Sequence, residues 1–99
     1  MPVVELQSTP LESLIPKTGN AIVDFYASWC GPCKMVAKVL HKISEDRGVT
    51  VIKVNIDEYP ELATQYSINS LPTMLVYKDG NEINKIVGAV PEASIVSKL

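Results

Sequence analysis

Cys30 and Cys33 are the only cysteines of the chain, and Gly31 and Pro32 separate them. An apolar run precedes them (Ile22, Val23, Phe25 and Tyr26), broken by a single charge at Asp24. A helical pattern follows at once, with Met35, Val36, Val39, Leu40 and Ile43 recurring three and four positions apart. The cysteines therefore fall where a buried strand hands over to a helix beginning near Cys33. The first turn of a helix carries amide N–H groups without intrahelical partners, and its dipole favours an anion. A thiolate there is stabilised and its pKa falls. Pro32 suits a helix start, because the N–H it lacks would be unpaired there. Two residues of separation let the sulfurs close a small disulfide ring. The expected geometry leaves Cys30 exposed at the loop tip and Cys33 covered, giving an attacking and a resolving thiol.

Blander roles fit this pair poorly. A disulfide spanning so short a loop constrains little of the unfolded chain, so a purely stabilising staple is a weak explanation. Structural zinc normally takes four ligands. One CxxC supplies two, and the only histidine, His41, falls on the polar side of the helix. Asp24 is costly inside an apolar strand unless it is paired or protonated. Burial should raise its pKa, and a nearby Lys53 would oppose that. The alternative is a strand edge or twist that lets Asp24 reach solvent. On pattern alone Lys53 reads as a surface lysine and Pro72 as the first residue of a strand. Trp29, beside Cys30, is expected at the rim of the site.

Positioning these residues takes few elements. The 99 residues suit one domain, residues 1–99. Composition is that of an ordinary globular protein, with 46% hydrophobic and 20% charged residues. A formal net charge of −2 gives no reason to expect nucleic-acid binding. No apolar run is long enough to span a membrane. No secretory signal is visible at the start, so a reducing, cytoplasmic setting is expected.

In chain order, a strand is expected over Val3 to Gln7. Thr9, Pro10 and Glu12 form a capping box for a short helix whose apolar face is Leu11, Leu14 and Ile15. The strand Ala21 to Tyr26 and a helix from Cys33 to Asp46 follow, stopped by Gly48. A strand over Val49 to Ile56 then implies a parallel pair. A second short helix runs from Pro60 to Tyr66. Strands Thr73 to Lys78 and Glu82 to Val87 flank an Asp79-Gly80 hairpin turn. On the last strand Ile83, Lys85 and Val87 are expected on one side. Pro91 opens a final helix to Leu99, burying some of Ile95, Val96 and Leu99. The fold class is α/β, a mixed central sheet of about five strands with helices on both faces.

At this point a resemblance appears. Trp29 to Lys34, WCGPCK, resembles the active site of the thioredoxin family. The likeness continues through Asp24-Phe25, Lys53 to Asp57, Leu71-Pro72-Thr73, Asp79-Gly80 and Val87-Gly88, covering nearly the whole chain. It implies the thioredoxin fold and reduction of protein disulfides by dithiol–disulfide exchange. By position, Cys30 would attack, Cys33 would resolve, Asp24 would relay the proton of Cys33, and Lys53 would be its positive neighbour. Pro72 would be a cis-proline facing the cysteines. Trp29, Gly31, Pro32, Leu71, Pro72, Gly88 and Ala89 would line the surface that receives substrate. Tyr26 stands where the family usually has tryptophan, and Ser70 where glycine is common. Lys38 replaces a frequent proline, which implies a straighter helix.

The resemblance further implies disulfide-containing protein substrates and a thioredoxin reductase or equivalent electron donor. No metal or organic cofactor is expected, and neither are nucleic-acid or membrane partners; the chain is expected to be a monomer. Two other classes share this surface. An oxidase or isomerase would use the same chemistry with a less reducing pair, and a scaffold would use the surface only to clamp partners.

Overall fold

The computed structural model describes residues 3–8 and 10–99. Five strands form one sheet in the order β1-β3-β2-β4-β5: β1 is Val3–Glu5, β2 Asn20–Tyr26, β3 Thr50–Asn55, β4 Thr73–Lys78 and β5 Asn81–Val87. β3 runs parallel to both β1 and β2, while β4 is antiparallel to β2 and β5. The sheet is mixed, as expected, and β2 lies between two neighbours. That position, together with the full burial of Asp24, closes off the solvent-reaching alternative.

Side chains alternate across each strand, so one sheet has two apolar faces. Ile22, Val51, Met74 and Val76 face α2 (Gly31–Arg47) and α4 (Glu92–Val96), packing with Val36, Leu40, Ile43 and Ile95. Val23, Phe25, Ile52, Val54 and Leu75 face the other way, toward α1 (Leu11–Leu14) and α3 (Pro60–Gln65). Tyr66, at the end of α3, stacks against Phe25 with ring centroids 5.6 Å apart. Tyr59 and Tyr77 join the same cluster as packing residues.

α2 begins at Gly31, two residues earlier than the pattern suggests, and Cys30 is its N-cap. Gly48 closes it in the left-handed conformation at φ 69°, where a glycine has no Cβ to strain. The inward stripe is Cys33, Val36, Leu40 and Ile43. Met35 is not part of it and stands 66% exposed, because one step along a helix turns the side chain about 100° away from Val36. His41 faces solvent, as expected.

Four other expectations need correction. The expected cap Thr9 lies outside the described residues, while Pro10, expected as the first helical residue, is the N-cap of α1; Glu12 accepts a hydrogen bond from the Tyr66 hydroxyl at 2.8 Å. β1 ends at Glu5, short of Gln7. On β5 the buried residue is Ile86, while Ile83, Lys85 and Val87 are exposed. A shift in register between Val76 and Tyr77 leaves Ile83 as an extra residue, and this reverses the facing of the strand. α4 ends at Val96, with Ile95 buried and Val96 and Leu99 only partly so. The hairpin matches its sequence: Asp79 and Gly80 both have positive φ, at 52° and 85°.

Candidate functional site

The site forms where β2 ends and α2 starts. Cys30 and Cys33 are joined in a disulfide, with Cα atoms 5.3 Å apart. The backbone N–H of Cys33 donates to Cys30 Sγ at 3.2 Å. One of the orphan amides of the helix start therefore points at the first sulfur, where it would stabilise a thiolate once the disulfide is opened. Pro32, inside the first turn, takes nothing from this arrangement because it has no N–H.

Cys30 is more covered than expected. It is 6% exposed against 3% for Cys33, since the disulfide tucks both sulfurs into a small cluster with Ala27, Tyr26, Ile56 and Leu71. The asymmetry survives in another form. A groove of about 480 Å³ is lined by Cys30 and not by Cys33. Trp29, Gly31, Pro32 and Leu71 line the same groove, as expected. Trp29 is 70% exposed, and its indole N–H donates to Asp57 Oδ2 at 3.1 Å, which fixes the ring at the rim. Ile56, Ile68, Asn69 and Ser70 complete the lining. Ile68 and Asn69 carry no sequence signal for this role, because the segment before Pro72 has no periodicity, and Ile56 reads only as the end of a strand.

The Leu71–Pro72 peptide bond is cis, and Pro72 is buried. Gly88 donates its backbone N–H to the Pro72 carbonyl at 2.8 Å, so the end of β5 is tied to this turn. Gly88, at φ 94°, needs the freedom of glycine there. Pro72, Gly88 and Ala89 do not line the groove with Trp29. Ala89 instead borders a second depression beside Met35, Val39 and Val90.

Asp24 is fully buried, and among the described residues neither of its oxygens has a hydrogen-bond partner. It pairs with Met74 on β4 and follows Ile22 by two residues, so it shares the sheet face covered by α2. Burial is the main cause that raises its pKa from 3.8 to about 7, Lys53 opposes the rise and Glu5 adds to it. Lys53 stands directly beside Asp24 in the β2–β3 register. Its ammonium lies 4.4 Å from the centroid of the Tyr26 ring.

The Thioredoxin family profile matches residues 2–99. The chain belongs to the thioredoxin family. It is 47% identical to thioredoxin 1 of Synechococcus elongatus over 90% of its own length and 81% of the relative's. Thioredoxin of Staphylococcus epidermidis is 38% identical, covering 100% of this chain and 96% of the relative. The crystal structure of a reduced thioredoxin from Schistosoma mansoni superposes with a TM-score of 0.86 at 36% identity, covering 96% and 92% of the two chains. This thioredoxin-family chain is a thiol–disulfide oxidoreductase with protein-disulfide reductase activity. The oxidase, isomerase and scaffold alternatives are not favoured by these relatives.

Proposed function

We propose that Cys30 and Cys33 carry the exchange as nucleophile and resolving thiol. The Cys30 thiolate attacks a substrate disulfide, forming a mixed disulfide and releasing one substrate thiolate. Cys33 then attacks Cys30 Sγ, closing the Cys30–Cys33 bond and releasing the second substrate thiolate. Two electrons pass from the protein dithiol to the substrate, and the disulfide described above is the form left after turnover. The observation that carries this reading is the asymmetry at the groove: Cys30 opens onto it and receives the helix-start amide, while Cys33 does neither.

Asp24 accepts the proton of Cys33 as that thiol becomes a nucleophile. A buried carboxyl with a pKa near 7 suits the task, because it can hold or release a proton at neutral pH. Lys53 keeps that value from rising further. Trp29, Gly31, Pro32 and Leu71 receive an extended substrate segment on one side of Cys30, with Pro72, Gly88 and Ala89 on the other.

The partners are disulfide-containing proteins and a reductase that restores the dithiol, so the chain is an electron carrier in redox homeostasis. A reducing dithiol is useful where thiols are kept reduced, which supports a cytoplasmic setting. No helix among the described residues is long and apolar enough to cross a membrane. One chain carries both thiols, the acid and the groove, which supports action as a monomer.

The test is turnover of a protein disulfide with a reductant supply. Cys30→Ser should abolish it and form no mixed disulfide. Cys33→Ser should accumulate a mixed disulfide and stop after one round. Unchanged turnover in either variant would overturn the mechanism.

A further inference from the structure

The sheet places Glu5 of β1 beside Lys53 of β3, and Lys53 beside Asp24 of β2. An ammonium flanked by two carboxylates would ordinarily pair with one of them. Lys53 does not: the ion pairs among the described residues are those of Lys42 with Asp46 and Glu92. Its ammonium sits against the Tyr26 ring instead, at 4.4 Å from the centroid. A ring face attracts a cation through its quadrupole. Tyr26 is held in turn, because its hydroxyl donates to Glu5 Oε2 at 2.6 Å. Burial and that hydrogen bond push the Tyr26 pKa up, so the hydroxyl remains a donor throughout the neutral range.

We infer that Tyr26, anchored by Glu5, is a positioning residue whose ring holds the Lys53 ammonium and withholds it from a direct ion pair with Asp24. The charge stays close enough to moderate the buried acid without pinning it in the ionised state. An ammonium brought into contact would favour the carboxylate and lower the pKa of Asp24, leaving it a poor proton holder near neutrality. Every charged or titratable neighbour enters this balance. Lys53 approaches from β3, Glu5 from β1, and Cys30 and Cys33 lie at the start of α2. β4 presents the apolar Met74, and Glu58 acts on Tyr26 from beyond β3. The catalytic consequence rests on the proton-relay reading of Asp24, while the positioning itself does not.

The test uses the oxidised protein, in which the cysteines do not titrate. The midpoint of Asp24 is read from its carboxyl carbon by NMR across pH. All variants carry Glu5→Gln, which removes the competing charge and keeps an oxygen to accept from Tyr26. Adding Tyr26→Leu should lower the Asp24 midpoint by about one pH unit, the lower end for an opposite charge brought close. In a Lys53→Met background the same Tyr26→Leu change should move it by less than about 0.3 pH unit. No lowering in the first background would overturn the inference. Equal lowering in both would also overturn it, because the ring would then act only as a cover against water.

Tyr26→Phe keeps the ring and, should the leucine variant not fold, provides the check. Without the hydroxyl the ring loses its tie to residue 5, so the midpoint should fall in the same direction by a smaller amount, and an unchanged midpoint would overturn the inference. Reduced protein separates the two readings. If the Asp24 midpoint moves but the pH profile of mixed-disulfide release does not, the positioning stands and the relay falls.

Discussion

Replacing Asp24 with asparagine should shift the stability balance increasingly toward the variant as pH rises toward about 7. Asp24 is fully buried, and its pKa lies at about 7 in the folded chain against 3.8 for the unperturbed group. The folded state therefore binds more protons than the unfolded state between these values. Stability falls as pH rises through that interval and levels off above about 7. At roughly 1.4 kcal/mol per pH unit, the penalty is about 1.7 kcal/mol at pH 5 and about 4 kcal/mol at pH 8. Asparagine carries no charge at either pH. Whatever its amide costs when buried, that cost does not change with pH. The difference between variant and parent should therefore grow by roughly 2.5 kcal/mol between pH 5 and pH 8. Urea denaturation of the oxidised forms at both pH values measures it directly. A difference that stays constant would refute the idea that Asp24 is held above its ordinary pKa by burial. The same variant should slow release of the mixed disulfide while sparing the first attack by Cys30.

Two further substitutions test the frame around the site. Trp29→Ala removes an exposed indole held by Asp57 at 3.1 Å, and should lower kcat/KM for a protein disulfide by roughly tenfold, as for a contact residue worth 1–2 kcal/mol; a small disulfide reacting with Cys30 should be affected far less, and equal losses on both would remove Trp29 from the binding surface. Ile95→Ala leaves a cavity where α4 meets the core beside α2, and should cost about 2–4 kcal/mol in denaturation with kcat unchanged in the folded protein; a loss under about 0.5 kcal/mol would mean that α4 does not pack as described.

The Cys30–Cys33 pair and the buried Asp24 were legible because local chemistry declares them. Gly-Pro between two cysteines, an apolar strand before and helical spacing after are all within reach of a short window. Asp24 announced itself by interrupting that strand. The misread features depend on information that no window holds. The facing of β5 is set by one extra residue, Ile83, opposite the Val76–Tyr77 step, and neither strand shows it alone. Met35 fits an apolar spacing on paper, but the true inward stripe includes Cys33, and that is decided by where the helix starts. The groove walls Ile56, Ile68 and Asn69 come from segments that meet only after β3 and β4 have paired with β2.

The same reasoning explains why Tyr26 matters more than its position in the sequence suggests. Read along the strand, it is a conservative aromatic in a place where tryptophan is usual. Read across the sheet, its ring faces Lys53 and its hydroxyl reaches Glu5, an edge-strand residue 21 positions earlier in the chain. A tryptophan has a ring for the ammonium but its only donor is an N–H at a different place, so the tie to Glu5 belongs to tyrosine. The proton affinity of the buried acid therefore depends on three strands at once. The sulfurs depend on one helix end. On the proposed mechanism, exchange at Cys30 depends on a local motif and timing at Cys33 on the assembled sheet, so substitutions in β1 and β3 should alter the second step and leave the first nearly untouched.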